Sequence, residues 1–263
     1  MKPIVVEKPI VVEKPIVAEK PIIAGKPIIV GHRGVAGTYP ENTRSSFLAA
    51  AKLGLQWIEL DVQPTADHVL VVCHDHELAR CSNGQGRIDQ QTLADLKALD
   101  FGAWFAPEFQ GEQVMTLDEL LVFIMEQRLS VNIEIKVDAQ HDKVEVAQLT
   151  YDALVASGVD PQHILISSFD HTVLRAFHHL STDYPLAVLT SRLTPEDWIL
   201  FAEIDAVACN IDYKSLDKAS LEQLHAQGRQ AWVYTVNDPA VFPLLADVDG
   251  LFTDMPEKFL PQK

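Results

Sequence analysis

Cysteine is scarce in this chain. Cys73, Cys81 and Cys209 have neither the spacing of a paired metal motif nor that of a disulfide scaffold, and three cannot all pair within one chain. They read as ordinary thiols. Basic residues are also in deficit. Lys and Arg number 21 against 37 Asp and Glu, a formal charge of −16 with neutral histidines, which argues against a broad phosphate-tracking surface for nucleic acid. No segment approaches the roughly 18 consecutive apolar residues of a membrane span. The start lacks the basic, apolar and small-residue succession of a secretory signal, so the expectation is a cytoplasmic protein. Apolar material is plentiful: 48% of residues are hydrophobic and 22% charged, enough for a sizeable core. The 263 residues leave room for one large domain, because a single α/β barrel takes about 250.

Residues 2–31 parse into five six-residue units, KPIVVE, KPIVVE, KPIVAE, KPIIAG and KPIIVG. Each unit offers β-branched residues but carries a proline, which removes a backbone donor and confines the segment to an edge strand or an extended connection. A period of six is also too short for the common solenoid repeats, whose periods run from about 20 to 50. The division expected is a repetitive extension over 1–25, flexible, edge-bound or self-associating, followed by one domain over 26–263.

From Ile28 onward short apolar runs alternate with helical patterns. Strands are predicted at 28–31, 57–61, 131–136, 163–167, 186–190, 206–211, 231–236 and 250–253. Helices are predicted near 44–53, 118–129, 143–157, 170–180, 195–202, 215–227 and 238–246, with a final turn around 256–261. The alternation is that of parallel strands joined by crossover helices, which predicts a TIM-like (β/α)8 barrel, with an open doubly wound sheet as the alternative. VLVVC at 69–73 follows IELDV too closely for a helical crossover and is predicted to be a hairpin arm. Residues 62–112 then form a hairpin-and-helix insertion after the second barrel strand, with a short helix around 91–98, covering the mouth of the barrel.

WIELDV puts Glu59 and Asp61 on one strand face, and VNIEIK puts Asn132, Glu134 and Lys136 on another. Carboxylates directed into a barrel end are costly unless a cation compensates them, and hard oxygen ligands suit Mg²⁺ or Ca²⁺. Glu59, Asp61 and Glu134 are therefore the expected ligands of one divalent ion; the plainer account is salt bridging to Lys136 or Arg33. GHRG at 31–34 ends the first strand, where Arg33 offers a rigid donor fork to phosphate. His74 and Asp75 end the hairpin arm, which could set His74 opposite His32 so that two imidazoles divide the proton work. His68, His76, His178 and His179 are read as structural or solvated. In YPENT, Glu41 and Asn42 can hold the phosphate loop or help coordinate the ion, while Asn42 or Thr43 is placed to cap the following helix. Asp170 reads as a cap, and Ser168 could orient a ligand. AWVYTVN places Tyr234 and Val236 on one face, with Tyr234 available to line a headgroup pocket, and Phe252 or Asp254 lies near the mouth. The Asp249–Gly250 pair reads as a tight turn.

Over about 28–256 the ordered motifs GHRG, PENT, IELDV, HD, NIEIK, SSF, VYTVN and GLFTD resemble the glycerophosphodiester phosphodiesterase family, especially compact bacterial cytosolic members. The resemblance implies a TIM-like barrel, catalysis by His32 and His74, and metal binding by Glu59, Asp61 and Glu134. Arg33 and Lys136 resemble phosphate-contacting residues, and Glu41 matches an active-site acid of the family. Tyr234 stands where many members have tryptophan, and Cys73 and His76 flank the HD pair. The implied reaction converts a glycerophosphodiester and water to glycerol 3-phosphate and an alcohol, through a cyclic phosphate formed by the substrate's own glycerol hydroxyl. The rival readings are a related lysophospholipid or inositol phosphodiesterase, and a noncatalytic metabolite-binding barrel.

Overall fold

The computed structural model describes residues 27–261. The repetitive extension expected over 1–25 lies outside the described residues. Strand β1 (Ile28–Gly31) is followed by helix α1 (Arg44–Leu53), β2 (Trp57–Pro64) and the hairpin strand β3 (Leu70–Val72). The insertion continues through the short α2 (Leu93–Lys97) and rejoins the barrel at α3 (Leu117–Gln127). Then come β4 (Ser130–Ile135), α4 (Lys143–Ser157), β5 (Ile164–Ser168), α5 (His171–Leu180), β6 (Leu186–Thr190), α6 (Pro195–Glu203), β7 (Ala208–Asp212), α7 (Lys218–Ala226), β8 (Gln230–Tyr234) and β9 (Gly250–Thr253).

Eight of these strands are parallel neighbours, and β1 pairs with both β2 and β9, so the sheet closes. Closure excludes the open doubly wound alternative. Strand β3 pairs antiparallel with the far end of β2, Val62 opposite Val72 and Pro64 opposite Leu70, as the short TADH connection demands. Helix ends carry the expected signals: Thr43 caps α1 by accepting from Ser46 N–H, Thr116 and Glu119 form a capping box on α3, and Asp170 caps α5.

Alternation along each strand separates two environments. Ile58, Leu60, Val62, Ile133 and Ile135 face outward into one core with Phe47, Phe123 and Phe177 from the helices. Facing inward, Val30, Leu165, Ala187, Ala208, Trp232 and Phe252 make a separate apolar plug. Two residues beyond Leu165 and Ala208 the lining turns polar, with Asn210 Nδ2 donating to Asn132 Oδ1 and Asn132 Nδ2 donating to Ser167 Oγ, each at 3.0 Å. The barrel is thus apolar at its N-terminal end and polar toward the C-terminal mouth, where α/β barrels carry their chemistry. The insertion has its own small core of Val71, Cys73, Leu78, Ile88, Leu96, Phe101 and Val114.

Three local expectations need correction. The helix predicted near 238–246 is a single 3₁₀ turn, Pro239–Val241, followed by irregular turns, because Pro243 lacks the amide a helix there would need. Tyr234 and Val236 do not share a face: β8 ends at Tyr234, which packs beside the inner plug, while Val236 joins the outer core. Gly250 is inside β9 rather than in a turn. Its role is close approach, since a Cβ there would lie 2.6 Å from Cδ2 of the Trp232 indole. Trp232 is itself locked edge-on to Trp57 with ring centroids 5.1 Å apart. Gly250→Ala is therefore expected to destabilise the barrel by about 1–3 kcal/mol. Chemical denaturation checks this, and an unchanged midpoint would contradict the packing described.

Candidate active site at the barrel mouth

Glu59 and Asp61 leave β2 on its inner face, and Glu134 leaves the neighbouring β4, with Asp61 in register opposite Glu134. Parallel pairing thereby sets the three carboxylates side by side, with oxygens within 4.8 Å of one another. Glu59 and Asp61 are buried. Lys136 Nζ donates to Glu134 Oε1 at 2.8 Å and stands 3.8 Å from Asp61 Oδ1. Arg33 Nε lies 3.4 Å from Asp61 Oδ2, and Arg33 N–H donates to Glu59 Oε2 at 3.0 Å. Arg33 reaches this position through a left-handed backbone (φ 52°), as does Asn42 (φ 58°), whose Nδ2 donates to Asp61 Oδ2 at 2.9 Å.

The salt-bridge account and the metal account therefore both find support, and charge decides between them. Two cations face three carboxylates in the innermost group, and Arg33 is shared with Glu41 at 2.8 Å. Asp61 Oδ1 and Asn42 Oδ1 are buried without a hydrogen-bond partner. Burial, then the charges of Asp61 and Glu134, push the Glu59 pKa well above the usual carboxylate range. Burial and Asp61 push Glu134 up to about 7 against the pull of Lys136. Burial would raise Asp61 as well, but Arg33, His74 and Lys136 outweigh it and hold that group low. A cluster that has unpartnered oxygens and would otherwise take up protons fits a divalent cation bound through oxygen.

His32 directly follows β1, and His74 follows β3 on the hairpin. Both line one cavity of about 280 Å³, together with Arg33, Glu59, Glu134 and Tyr234. Each imidazole has its Nδ1 against a carboxylate at 2.6 Å, His32 against Asp254 and His74 against Asp75. The two carboxylates differ in their other partners. Asp75 is also bound by Arg80, whose hydrogen bonds hold it far below the usual range. Asp254 accepts from Asn237 Nδ2 at 2.7 Å, and its own N–H donates to Asn237 Oδ1 at 2.8 Å. Burial would raise Asp254, but the hydrogen bond and charge of His32 bring it down. Burial lowers His74 below the ordinary imidazole value despite the attraction of Asp61, leaving a neutral ring able to accept a proton.

Glu41 lies one shell further out. Its oxygens accept from Arg33 and from both terminal nitrogens of Arg80 at 2.6 and 2.8 Å, which ties the PENT loop to the insertion. Tyr234 lines the cavity and donates its hydroxyl to the Thr190 carbonyl at 3.0 Å, with Phe169 edge-on at 6.2 Å. Ser168 Oγ is committed to the Ile135 carbonyl, and Asp170 to the α5 cap and Lys143. Arg80 and Asn237 were not singled out as site residues by the motifs, because both sit in irregular loops where no periodicity shows their direction. A larger surface groove of about 470 Å³ beside Arg44, Lys97 and Glu119 contains none of these groups.

The chain matches the glycerophosphoryl diester phosphodiesterase family over residues 32–258. It is similar to the glycerophosphodiester phosphodiesterase of Bacillus subtilis (strain 168), with 33% identity over 245 residues, 87% of this chain and 83% of that protein. The protein of the same name from Caldanaerobacter subterraneus subsp. tengcongensis is 32% identical over 236 residues, 87% of this chain and 94% of its own. Among solved structures, an Oleispira antarctica phosphodiesterase in complex with the product sn-glycerol-3-phosphate superposes with a TM-score of 0.82 at 28% identity, over 89% of this chain and 95% of that one.

The raised Glu134 and Glu59 pKa values have a thermodynamic consequence. Below about pH 7 the cation-free cluster carries a proton that a bound cation must displace, so affinity rises with pH through that window. Titration calorimetry with MgCl₂ in buffers of different ionisation enthalpy should show proton release at pH 6 and less at pH 8. No release at pH 6 would contradict the carboxylate cluster as the cation's ligand set.

Proposed function

This chain belongs to the glycerophosphoryl diester phosphodiesterase family, and from its site we propose how it hydrolyses glycerophosphodiesters to glycerol 3-phosphate and an alcohol. The observation that carries the mechanism is the pair of imidazoles lining one cavity, each with Nδ1 held by a carboxylate and Nε2 left for proton transfer.

Glu59, Asp61 and Glu134 would hold one divalent cation, Mg²⁺ or Ca²⁺, which when bound supplies positive charge against the developing negative charge on substrate oxygens. Arg33 and Lys136 add positive charge beside the carboxylates and bind the phosphate, Arg33 from the cavity wall as a planar fork and Lys136 from the adjoining recess as a point charge. Glu41 keeps the Arg33 fork in place, and Tyr234 lines the side on which the alcohol or glycerol portion rests.

His74, whose partial burial favours the neutral ring, accepts the proton of the substrate's glycerol hydroxyl as that oxygen attacks phosphorus. The ester bond to the alcohol breaks, and His32 gives a proton to the departing oxygen. The reason for this order is the difference between the two carboxylates. Arg80 satisfies Asp75, so Asp75 supports a cationic His74 weakly, whereas Asp254 faces His32 with neutral Asn237 as its other side-chain partner. Water then opens the resulting cyclic phosphate with the two roles reversed.

Glycerol 3-phosphate release from glycerophosphocholine tests this reading. His32→Ala and His74→Ala should each lower kcat by about 10²–10⁴-fold with unchanged unfolding midpoints. A diester whose neighbouring glycerol hydroxyl is methylated should turn over far more slowly. Wild-type rates in either folded variant would remove the histidine from the mechanism, and equal turnover of the methylated diester would remove internal attack.

A further inference from the structure

A second cluster of ligating side chains lies where the insertion meets the loop after β4. His76 follows β3, Asp89 lies in the 3₁₀ turn Ile88–Gln90, and Asp138 and His141 lie between β4 and α4. The ligand atoms of His76, Asp138 and His141 all fall within 4.8 Å of one another. We propose that these three side chains, with Asp89 in reach, form a second metal site, selective for a zinc-like transition ion, that staples the insertion to the barrel.

The donor set differs in kind from that of the catalytic cavity. Two imidazoles and a carboxylate suit a tetrahedral ion such as Zn²⁺, whereas three carboxylates suit Mg²⁺ or Ca²⁺. His76 is already oriented as a ligand. His76 Nδ1 is hydrogen-bonded to Gln63 Oε1 at 2.8 Å, which places the proton on Nδ1 and leaves the Nε2 lone pair facing Asp138 Oδ2. That gap is 3.9 Å, too long for a hydrogen bond and within about half an ångström of the ligand separation around a tetrahedral ion with bonds of about 2.0–2.2 Å.

His141 provides the independent sign. Its side chain is 4% exposed, yet Nε2 has no hydrogen-bond partner and lies 3.4 Å from Asp89 Oδ2. Nδ1 accepts the Asp138 backbone N–H at 3.0 Å and stands 3.1 Å from Asp138 Oδ1. Metal binding at Nε2 moves the ring proton to Nδ1, where it donates to Asp138 Oδ1 in place of the bond that Nδ1 accepts from the Asp138 amide, so one carboxylate–histidine contact orients the ring in the loaded site.

Arg87 completes the surroundings. Its Nη2 bonds Asp89 Oδ2 at 2.7 Å and Asp138 Oδ2 at 2.8 Å, so both carboxylates are pinned. One arginine against two aspartates leaves the cluster one negative charge in excess, and each carboxylate oxygen has a second lone pair to offer. The rings of His76 and His141 already stand 5.2 Å apart, so small side-chain shifts bring the ligands onto one ion.

The test is Co²⁺ binding to the full chain, stripped with chelator and then saturated with Mg²⁺ to occupy the carboxylate cluster. Wild-type protein is expected to take up about one Co²⁺ with the strong visible bands of a four-coordinate nitrogen-containing site, and Zn²⁺ should displace it. His76→Gln and His141→Gln should each abolish the bands, while Glu134→Gln should retain them. Absence of the bands in wild type, or their persistence in folded His76→Gln, would overturn the site and leave His141 as an imidazole bonded to its aspartates alone. If buried His141→Gln fails to fold, the half-buried His76 variant and the wild-type spectrum still decide. The readout is absorption rather than turnover, so its outcome is independent of the proposed reaction.

Discussion

Asp61 is buried between Glu59 and Glu134, and the repulsion among these carboxylates governs the mouth of the barrel. Parallel register puts the groups together, because a two-residue alternation on adjacent strands can only direct such side chains to the same place. Everything nearby answers that charge. Arg33 bends through a left-handed conformation to reach it, Asn42 donates an amide, and Lys136 follows Glu134 at the end of the same strand. These partners reduce the field without cancelling it. An ion pair network sized to neutralise the cluster would leave no attraction for a cation, whereas one a charge short leaves a site.

The histidines come from opposite kinds of support. His32 follows the first barrel strand directly and is fixed through Asp254 and Asn237 to the last turns of the fold, so its position depends on barrel closure. His74 comes from a hairpin that borrows the end of β2 and is held by Asp75, Arg80 and Glu41. Glu41 therefore joins the two halves, touching Arg33 on one side and the insertion's Arg80 on the other.

Much of this architecture is legible in the sequence because it follows periodicity. The β-branched runs and intervening helices locate the eight parallel strands, and the brevity of TADH rules out any crossover before β3. Glu59, Asp61 and Glu134 are visible for the same reason, being charged residues at inward positions of otherwise aliphatic strands. What escapes lies where period carries no information. Pro243 dissolves the last crossover helix, and β8 stops at Tyr234, so a two-residue count carried to Val236 assigns the wrong face. Arg80, Asn237 and the His76–Asp138–His141 grouping are assembled by loops, whose direction is set by tertiary contacts alone. Asp249–Gly250 has the composition of a turn, yet the glycine serves an indole across the barrel.

The insertion packs around a small core of its own beside the far larger core of the barrel. Seven buried residues around Ile88 and Leu96 hold the segment that carries His74, while the far larger outer core holds the barrel. Local opening free energy scales with buried contact, so the smaller unit is the one to open first. A molecule with its insertion detached would keep its carboxylate cluster and His32 and lose His74 from the cavity. Loss of function on warming would then begin below the temperature at which the sheet itself comes apart, as a reversible undocking that a global unfolding signal does not register.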